Sequence, residues 1–165
     1  MLRVLVYLSL DPDRLATIAQ IAGAYGISEN HLMKVVQQLV RQGWVESVRG
    51  RSGGVRLAVE PDAIRVGEVV RAAQGDTPAV ECLATDGGDC RITGACRLPG
   101  ILGEALDAFY STLDRYTVAD LVTQSRPLQR TPADKVGRLV RDTAIETDVA
   151  REGRAVGVRA QVQVA

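Results

Sequence analysis

Several kinds of residue and pattern are scarce in this chain of 165 residues, and each scarcity excludes a class of protein. Aromatic residues make up 4% of the sequence and histidine occurs once. The 20 basic side chains balance 20 acidic ones, so no net charge draws the chain towards nucleic acid or an anionic membrane. No apolar run approaches the roughly 18 residues that a membrane span requires. Because we find neither an acid/base pair nor a nucleophile beside a base, we predict that the chain is not an enzyme.

The first ten residues, MLRVLVYLSL, resemble the start of a signal peptide, with one basic residue and a short apolar run. No small-x-small cleavage site follows, and the run leads directly into Asp11-Pro12-Asp13. We therefore predict a cytoplasmic protein whose thiols stay reduced, in which clustered cysteines serve metal or redox chemistry rather than a disulfide framework. The 46% apolar content is enough for one core of ordinary size.

Residues 15 to 42 show the apolar spacing of two short helices joined by a turn. Gly26 supplies the turn, and Ser28 is positioned to cap the second helix, residues 29–42. The second helix has an apolar face, predicted to be buried, of Leu32, Val35, Val36, Leu39 and Val40. Its opposite face carries polar and basic residues: Asn30, His31, Lys34, Gln37, Gln38 and Arg41. This pattern is typical of a recognition helix in a DNA major groove, although a solvated helix of a small bundle would share it.

The next stretch, WVESVRGRSGGVRLAV, predicts a β-hairpin with strands over residues 44–48 and 55–59 and a basic, glycine-rich tip. A helix-turn-helix followed by such a hairpin is a winged helix. No Gly-Lys-Ser/Thr follows the glycines, which argues against a nucleotide-binding loop. Between residues 31 and 58 there are five Lys/Arg against one Glu, a locally positive surface. We predict DNA contacts from Ser28, Asn30, His31, Lys34, Arg49, Arg51 and Arg56; a solvated ring is the alternative role of His31.

All three cysteines lie in one glycine-rich loop, CLATDGGDCRITGAC, with the spacing C-x7-C-x5-C. Zinc sites usually contain tight Cys-x2-Cys pairs, which are missing here. The wide spacing favours an iron–sulfur cluster over a single zinc ion, with three unrelated buried cysteines as the alternative. We therefore predict that Cys82, Cys90 and Cys96 bind iron.

The predicted fold is mainly α with a small β-hairpin wing (α+β), a winged helix-turn-helix followed by a long helix. We assign residues 1–60 to the winged helix-turn-helix and 61–97 to a connecting helix and the cysteine loop. Residues 98–122 form a long helix with an apolar stripe that can pack on a partner, and Thr117 and Asp120 are spaced to cap a last short helix. Residues 123–165, with no aromatic residue and an even spread of arginine, are predicted to be a flexible tail.

Together these residues resemble the winged-helix iron–sulfur repressors that include NsrR and IscR. The resemblance covers residues 1 to 122 and is most specific in ISENHLMKVVQQLVRQGWVESVRGRSGGVRLA and in the cysteine motif followed by R-L-x-G-I-L. In the IscR branch a histidine follows the last cysteine at the third position and completes a 2Fe–2S site, whereas here that position is Pro99. The chain is therefore most similar to the NsrR branch, the nitric-oxide-sensing repressors.

The resemblance implies a homodimer with one cluster per subunit, 4Fe–4S rather than the alternative 2Fe–2S, bound by the three cysteines. It implies that the helix starting near Leu98 forms the dimer contact. It also implies a repressor that occupies a palindromic operator while the cluster is intact and leaves it when nitric oxide attacks the iron, with genes of nitric oxide detoxification as targets.

One departure from the NsrR pattern concerns the fourth ligand of the cluster. NsrR-type proteins are expected to supply an Asp near the start of the first helix from the other subunit, and this chain has no acidic residue before Asp11. The alternatives are that about nine residues precede this start in the native protein, or that an exogenous or different oxygen is the fourth ligand of the cluster. Local candidates are Glu81, Asp86 and Asp89. Two other hypotheses stay open: a regulator that responds to iron or cluster supply, and a zinc-bound or cluster-free protein-interaction module.

Overall fold

The structure is a computed structural model that describes residues 1–75, 78, 80–84, 90–92, 94–123 and 135. The first elements are α1 (Leu2–Ser9), α2 (Ile18–Tyr25), α3 (Glu29–Arg41), β1 (Val45–Val48) and β2 (Gly54–Leu57). A 3-10 turn (Pro61–Ala63), α4 (Val66–Gln74), a second 3-10 turn (Glu81–Leu83), α5 (Leu98–Leu113) and α6 (Val118–Thr123) follow. None of the helices in these ranges is long and apolar enough to cross a membrane. Most of the predicted flexible tail lies outside the described residues.

Helices α2 and α3 form the predicted helix-turn-helix, with boundaries set by local chemistry. Thr17 begins α2 with a capping box, because its hydroxyl accepts a hydrogen bond from the Gln20 backbone while the Gln20 side chain accepts one from the Thr17 backbone. Gly26 ends α2 at φ 63°, a left-handed conformation that disfavours residues with a side chain. The α3 helix ends at Arg41, one residue before the predicted end.

The hairpin is antiparallel, and Val45 lies opposite Leu57. The strands run from Val45 to Val48 and from Gly54 to Leu57, so the second strand begins and ends earlier than predicted. Gly54 joins the ladder opposite Val48. On the other edge of the second strand, Ala16 and Val55 exchange backbone hydrogen bonds of 3.0 and 2.8 Å. A Cβ at Gly54 would lie 2.8 Å from the Ala16 carbonyl oxygen, so this close approach requires glycine.

One hydrophobic core unites elements on both sides of the cysteine loop. Its fully buried members come from α1, α2, α3, β1, α4, α6 and the segment before α4: Leu5, Ile21, Leu32, Leu39, Val45, Ile64, Val69 and Val118. Ile64, Val69 and Val118, which follow residue 60, belong to this core. We call residues 1–75 together with α6 the winged-helix body, and the described residues between 80 and 113 the cysteine arm.

The segment predicted as one long helix over 98–122 consists of two helices separated by a turn. The α5 helix ends at Leu113, and α6 begins after Thr117. The predicted cap is confirmed, because the Thr117 backbone and hydroxyl both donate to the Asp120 carboxylate at 2.8 and 2.9 Å. These hydrogen bonds lower the pKa of Asp120 below its usual value of 3.8. The reversal brings Val118 back into the core, where it is completely buried.

Candidate functional site

The outer face of α3 carries most of the side chains predicted to contact DNA. Leu32, Val36 and Leu39 are buried and fix the rotation of the helix. The residues on the opposite side follow the i, i+4, i+7, i+11 spacing of one helical face and are all exposed: Asn30, Lys34, Gln37 and Arg41. We call these four residues the outer stripe. Because the core holds the buried side of the helix, the stripe is presented rigidly to solvent.

Two other predicted residues lie at the start and on the flank of α3. Ser28 is the N-cap by position, but its side chain makes no capping hydrogen bond, and the residue is exposed. His31 lies beside the outer stripe and lines an apolar groove of about 340 Å³ with Val35 and with Val70 and Ala73 of α4. The structure therefore places His31 next to α4 rather than at the centre of the outer face.

The three arginines of the wing that were predicted to contact DNA lie in two different settings. Arg49 and Arg51 are exposed at the tip. Arg56 lies opposite Glu46 in the register of the strands, and its Nε contacts the Glu46 carboxylate at 2.5 Å. Both side chains of this ion pair are nearly half exposed, and such pairs contribute about 0.2–1 kcal/mol. A DNA phosphate would have to replace Glu46 as the partner of Arg56, whereas Arg49 and Arg51 have no such competitor in the described residues.

The three cysteines lie in different surroundings, and none forms a disulfide. Cys82 is half-buried in the 3-10 turn, and Cys90 is exposed. Cys96 is half-buried just before α5, and its Sγ accepts a hydrogen bond from the Leu98 backbone N–H at 3.4 Å. In the part of the chain that the structure describes, no three His, Cys, Asp or Glu side chains converge into a metal-binding group. Three thiols nevertheless have the donor chemistry that an iron–sulfur cluster requires.

The structure describes only one of the three candidates for a fourth cluster ligand. Glu81 is exposed and precedes Cys82 in the 3-10 turn, while Asp86 and Asp89 lie outside the described residues. Pro99 lies in the first turn of α5 and has no ligating side chain.

The cysteine arm joins the winged-helix body at the far end of α5. Asp114 accepts hydrogen bonds from Arg71 of α4 on both carboxylate oxygens, each at 2.7 Å. The Arg71 guanidinium also lies 4.9 Å from the centre of the Tyr110 ring, and the Tyr110 hydroxyl donates to Gln74. Gly67 leaves space for the Asp114 carboxylate, which a Cβ there would strike. These residues escaped the sequence analysis because they lie about 43 positions apart with no local signal.

Helix α5 carries an apolar surface that the single chain leaves uncovered. None of its 16 residues is buried. Leu98, Ile101 and Phe109 are 50%, 58% and 50% exposed, far more than large apolar side chains in a finished core. One side of the predicted apolar stripe therefore faces outwards from this copy of the chain, while Leu102, Leu106 and Leu113 are half-buried.

Comparison with known proteins finds transcriptional regulators over most of the chain. The sequence profile of the Rrf2 family, described as iron-dependent transcriptional regulators, matches residues 1–124. The HTH-type transcriptional regulator NsrR of Bacillus subtilis (strain 168) is 45% identical over 130 residues, covering 78% of this chain and 89% of that protein. IscR of T. potens has a similar structure, with a TM-score of 0.56 and 26% identity over 78% of this chain and 86% of that one. CymR, the global cysteine regulator of B. subtilis, also gives a TM-score of 0.56, at 28% identity over 75% and 91% of the two chains.

Proposed function

The chain belongs to the Rrf2 family of transcriptional regulators, and we propose that it is a homodimeric DNA-binding repressor that releases its operator in response to nitric oxide. The predicted winged-helix fold is confirmed by its structural relatives, and the relatives are regulators rather than enzymes. The sensing function rests on the similarity to NsrR and on the cysteine motif.

The observation that carries the DNA-binding part is the rigid presentation of the outer stripe. Three buried side chains lock the rotation of α3, so polar and basic groups face outwards together with the arginines of the wing tip. An α-helix about 10–12 Å in diameter fits a major groove about 12 Å wide. In a twofold dimer, two such helices would lie about one turn of DNA apart, which matches a palindromic operator.

We propose that Cys82, Cys90 and Cys96 hold an iron–sulfur cluster, of the 4Fe–4S type with 2Fe–2S as the alternative. When bound, the cluster supplies iron with which nitric oxide can react. The chain's own contribution is clearest at Cys96, whose sulfur accepts a hydrogen bond from the Leu98 N–H at the start of a 16-residue helix and is thereby held in place.

We propose that the exposed face of α5 is covered by a second copy of the chain. Leu98, Ile101 and Phe109 would then leave water on dimer formation, at about 25 cal/mol for each Å² buried. A helix of 16 residues is about 24 Å long, so its cysteine end lies well away from Asp114. The far end of α5 is held against α4 by the Arg71–Asp114 and Tyr110–Gln74 contacts, so we propose that a change at Cys96 tilts the helix about this junction with α4, which borders α3.

A second candidate signal is iron or cluster supply. The family description, iron-dependent transcriptional regulator, favours it directly. Both candidates use the same fold and the same three cysteines, so they differ in the reaction that empties the operator rather than in the operator contacts.

The test is an anaerobic titration of operator binding on protein with its cluster intact. Our proposal expects stoichiometric nitric oxide to abolish binding along with the visible absorbance of the cluster. Binding that survives nitric oxide but falls on iron chelation would favour the iron-supply regulator. An interaction module, zinc-bound or cluster-free, would bind no operator and would show no salt-dependent affinity for DNA.

A further inference from the structure

The α3 helix and the wing enclose a cleft that joins Gln37 and Arg41 of the outer stripe to Arg49 of the wing, and the roles above do not say what occupies it. The cleft has a volume of about 490 Å³, and we name it the α3–wing cleft. Its lining residues come from the second half of α3 and from the first strand and its end: Val36, Gln37, Val40, Arg41, Ser47 and Arg49.

Local geometry explains why these residues meet. After α3 the chain reverses at Gly43, whose φ of 77° is left-handed, and the Trp44 backbone donates to Leu39, so β1 returns beside the helix. Side chains alternate along a strand, which places Ser47 and Arg49 on the same side as buried Val45, towards α3.

The charge of the cleft is positive and uncompensated. Arg41 and Arg49 line it, no carboxylate does, and neither guanidinium forms an ion pair within the described residues. Arg56, on the other strand, is by contrast held by Glu46. Two cations that share a cleft repel each other until an anion lies between them.

The cleft also has an apolar wall and neutral donors. Val40 is 39% exposed although it lies on a helix with a well-packed core face. The Ser47 hydroxyl and the Gln37 amide can each donate a hydrogen bond. An occupant that suits this lining carries a singly charged anion next to a saturated carbon ring, which is the chemistry of one sugar–phosphate unit of DNA.

We propose that the α3–wing cleft binds one sugar–phosphate unit at the edge of the major groove that α3 enters. Arg41 and Arg49 hold the phosphate, Ser47 and Gln37 donate to its oxygens, and Val40 packs against the deoxyribose. The inference rests on the proposed DNA binding and adds to it a contact that fixes the position of the helix without selecting a sequence. The diameter of an α-helix matches the width of the major groove. A helix that fills the groove therefore brings its flank, where the α3–wing cleft lies, against the phosphates that border the groove.

The first experiment compares Arg41→Gln, Arg41→Lys and the matched control Arg115→Gln, which removes an exposed arginine from the turn after α5. We expect Arg41→Gln to weaken binding about tenfold, equally for operator and for an unrelated duplex. The slope of log affinity against log salt should fall by about one, while Arg41→Lys should keep the slope. Arg115→Gln should match wild type in both.

The second experiment locates the phosphate by ethylation interference. At one backbone position per half-site, ethylation should weaken wild-type binding strongly and Arg41→Gln binding much less, because only Arg49 and the neutral donors still contact that phosphate in the variant. Arg41 also lies in the C-terminal turn of α3, where a cation favours the helix dipole. If that were its only role, Arg41→Gln would lower the melting temperature and leave the salt slope unchanged.

Two results would overturn the inference while leaving the proposed function intact. In one, Arg41→Gln behaves like Arg115→Gln although wild type binds DNA with a clear salt slope. In the other, the loss is confined to the operator, which would make Arg41 a base contact. Failure of wild type to bind any duplex would instead refute the DNA-binding proposal itself.

Discussion

The winged-helix body and the cysteine arm contain helices of similar apolar character that are packed in opposite ways. The eight residues of α1 include four that are buried, whereas the 16 residues of α5 include none. A helix gains most of its stability in water from packing its apolar face rather than from its own propensity. The body can therefore fold on its own contacts, whereas under our proposal the arm acquires a comparable environment from a second copy of the chain and a cofactor.

The largest expected effect tests the self-sufficiency of the body. Leu39 is completely buried between α3 and the rest of the core, so Leu39→Ala should lower the free energy of unfolding by about 2–5 kcal/mol. The matched change in the arm, Ile101→Ala, should cost less than about 0.5 kcal/mol in dilute, iron-free protein. Urea unfolding measures both. Equal losses would contradict the division into body and arm.

The next effect concerns the partner of the arm. Phe109→Glu places a charge on the exposed face of α5 and should raise the dimer dissociation constant by about 10- to 100-fold, because Phe109 is 50% exposed and the two copies together lose roughly 1.5–3 kcal/mol of apolar burial. The control Glu104→Gln changes an exposed polar position of the same helix and should leave the constant unchanged. Sedimentation velocity over a concentration series distinguishes the two. A dimer that tolerates Phe109→Glu would require another interface.

A smaller effect is expected where the arm meets the body. One guanidinium nitrogen of Arg71, Nη2, donates to both carboxylate oxygens of Asp114, but the side chains are 42% and 37% exposed, so solvent screening limits their coupling to about 0.5–1 kcal/mol. A double-mutant cycle of Arg71→Ala and Asp114→Ala measures this energy directly. The same variants should reduce the difference in operator affinity between cluster-loaded and cluster-free protein. An undiminished difference would show that the cysteine signal reaches α3 by another route.

The smallest effect is a pH dependence at the start of α6. Asp120 has a lowered pKa in the folded protein because Thr117 donates two hydrogen bonds to it. Its contribution to stability is therefore complete above the unfolded pKa of 3.8 and is lost as the pH falls through the lower folded value. Amide exchange at Val118, whose N–H is bonded to Ile64, should accelerate in that acidic range. Asp120→Asn should flatten this response, and an unchanged profile would exclude the cap as its cause.

Local pattern was enough to predict the parts of the fold that depend on near neighbours. The apolar spacing located α3 to within one residue of its end, and the Thr117–Asp120 cap was predicted from four residues of sequence. The bridge between Ala16 and Val55 could not be predicted, because the two residues lie far apart in the sequence. The burial of Val118 and the Arg71–Asp114 pair depend on the chain returning to the body after the arm, and no local pattern encodes that return.

The candidate site shows the same division between local and distant information. Helical periodicity identified the outer stripe, and alternation along β1 could have identified Ser47 as its neighbour. The pairing of Arg56 with Glu46 followed only from the register of the strands. For the cysteines, spacing predicted the donor set, and their relation to α5 became visible only through the hydrogen bond at Cys96.

The most direct test of the account replaces all three cysteines with serine and measures operator affinity under anaerobic conditions. We predict that the variant Cys82→Ser/Cys90→Ser/Cys96→Ser folds, because the body keeps its core, and that it purifies without iron. Its operator affinity should equal that of wild type after nitric oxide and should not respond to the gas. A variant that binds the operator as tightly as the untreated wild-type protein would contradict the claim that the cysteine arm governs the DNA-binding body.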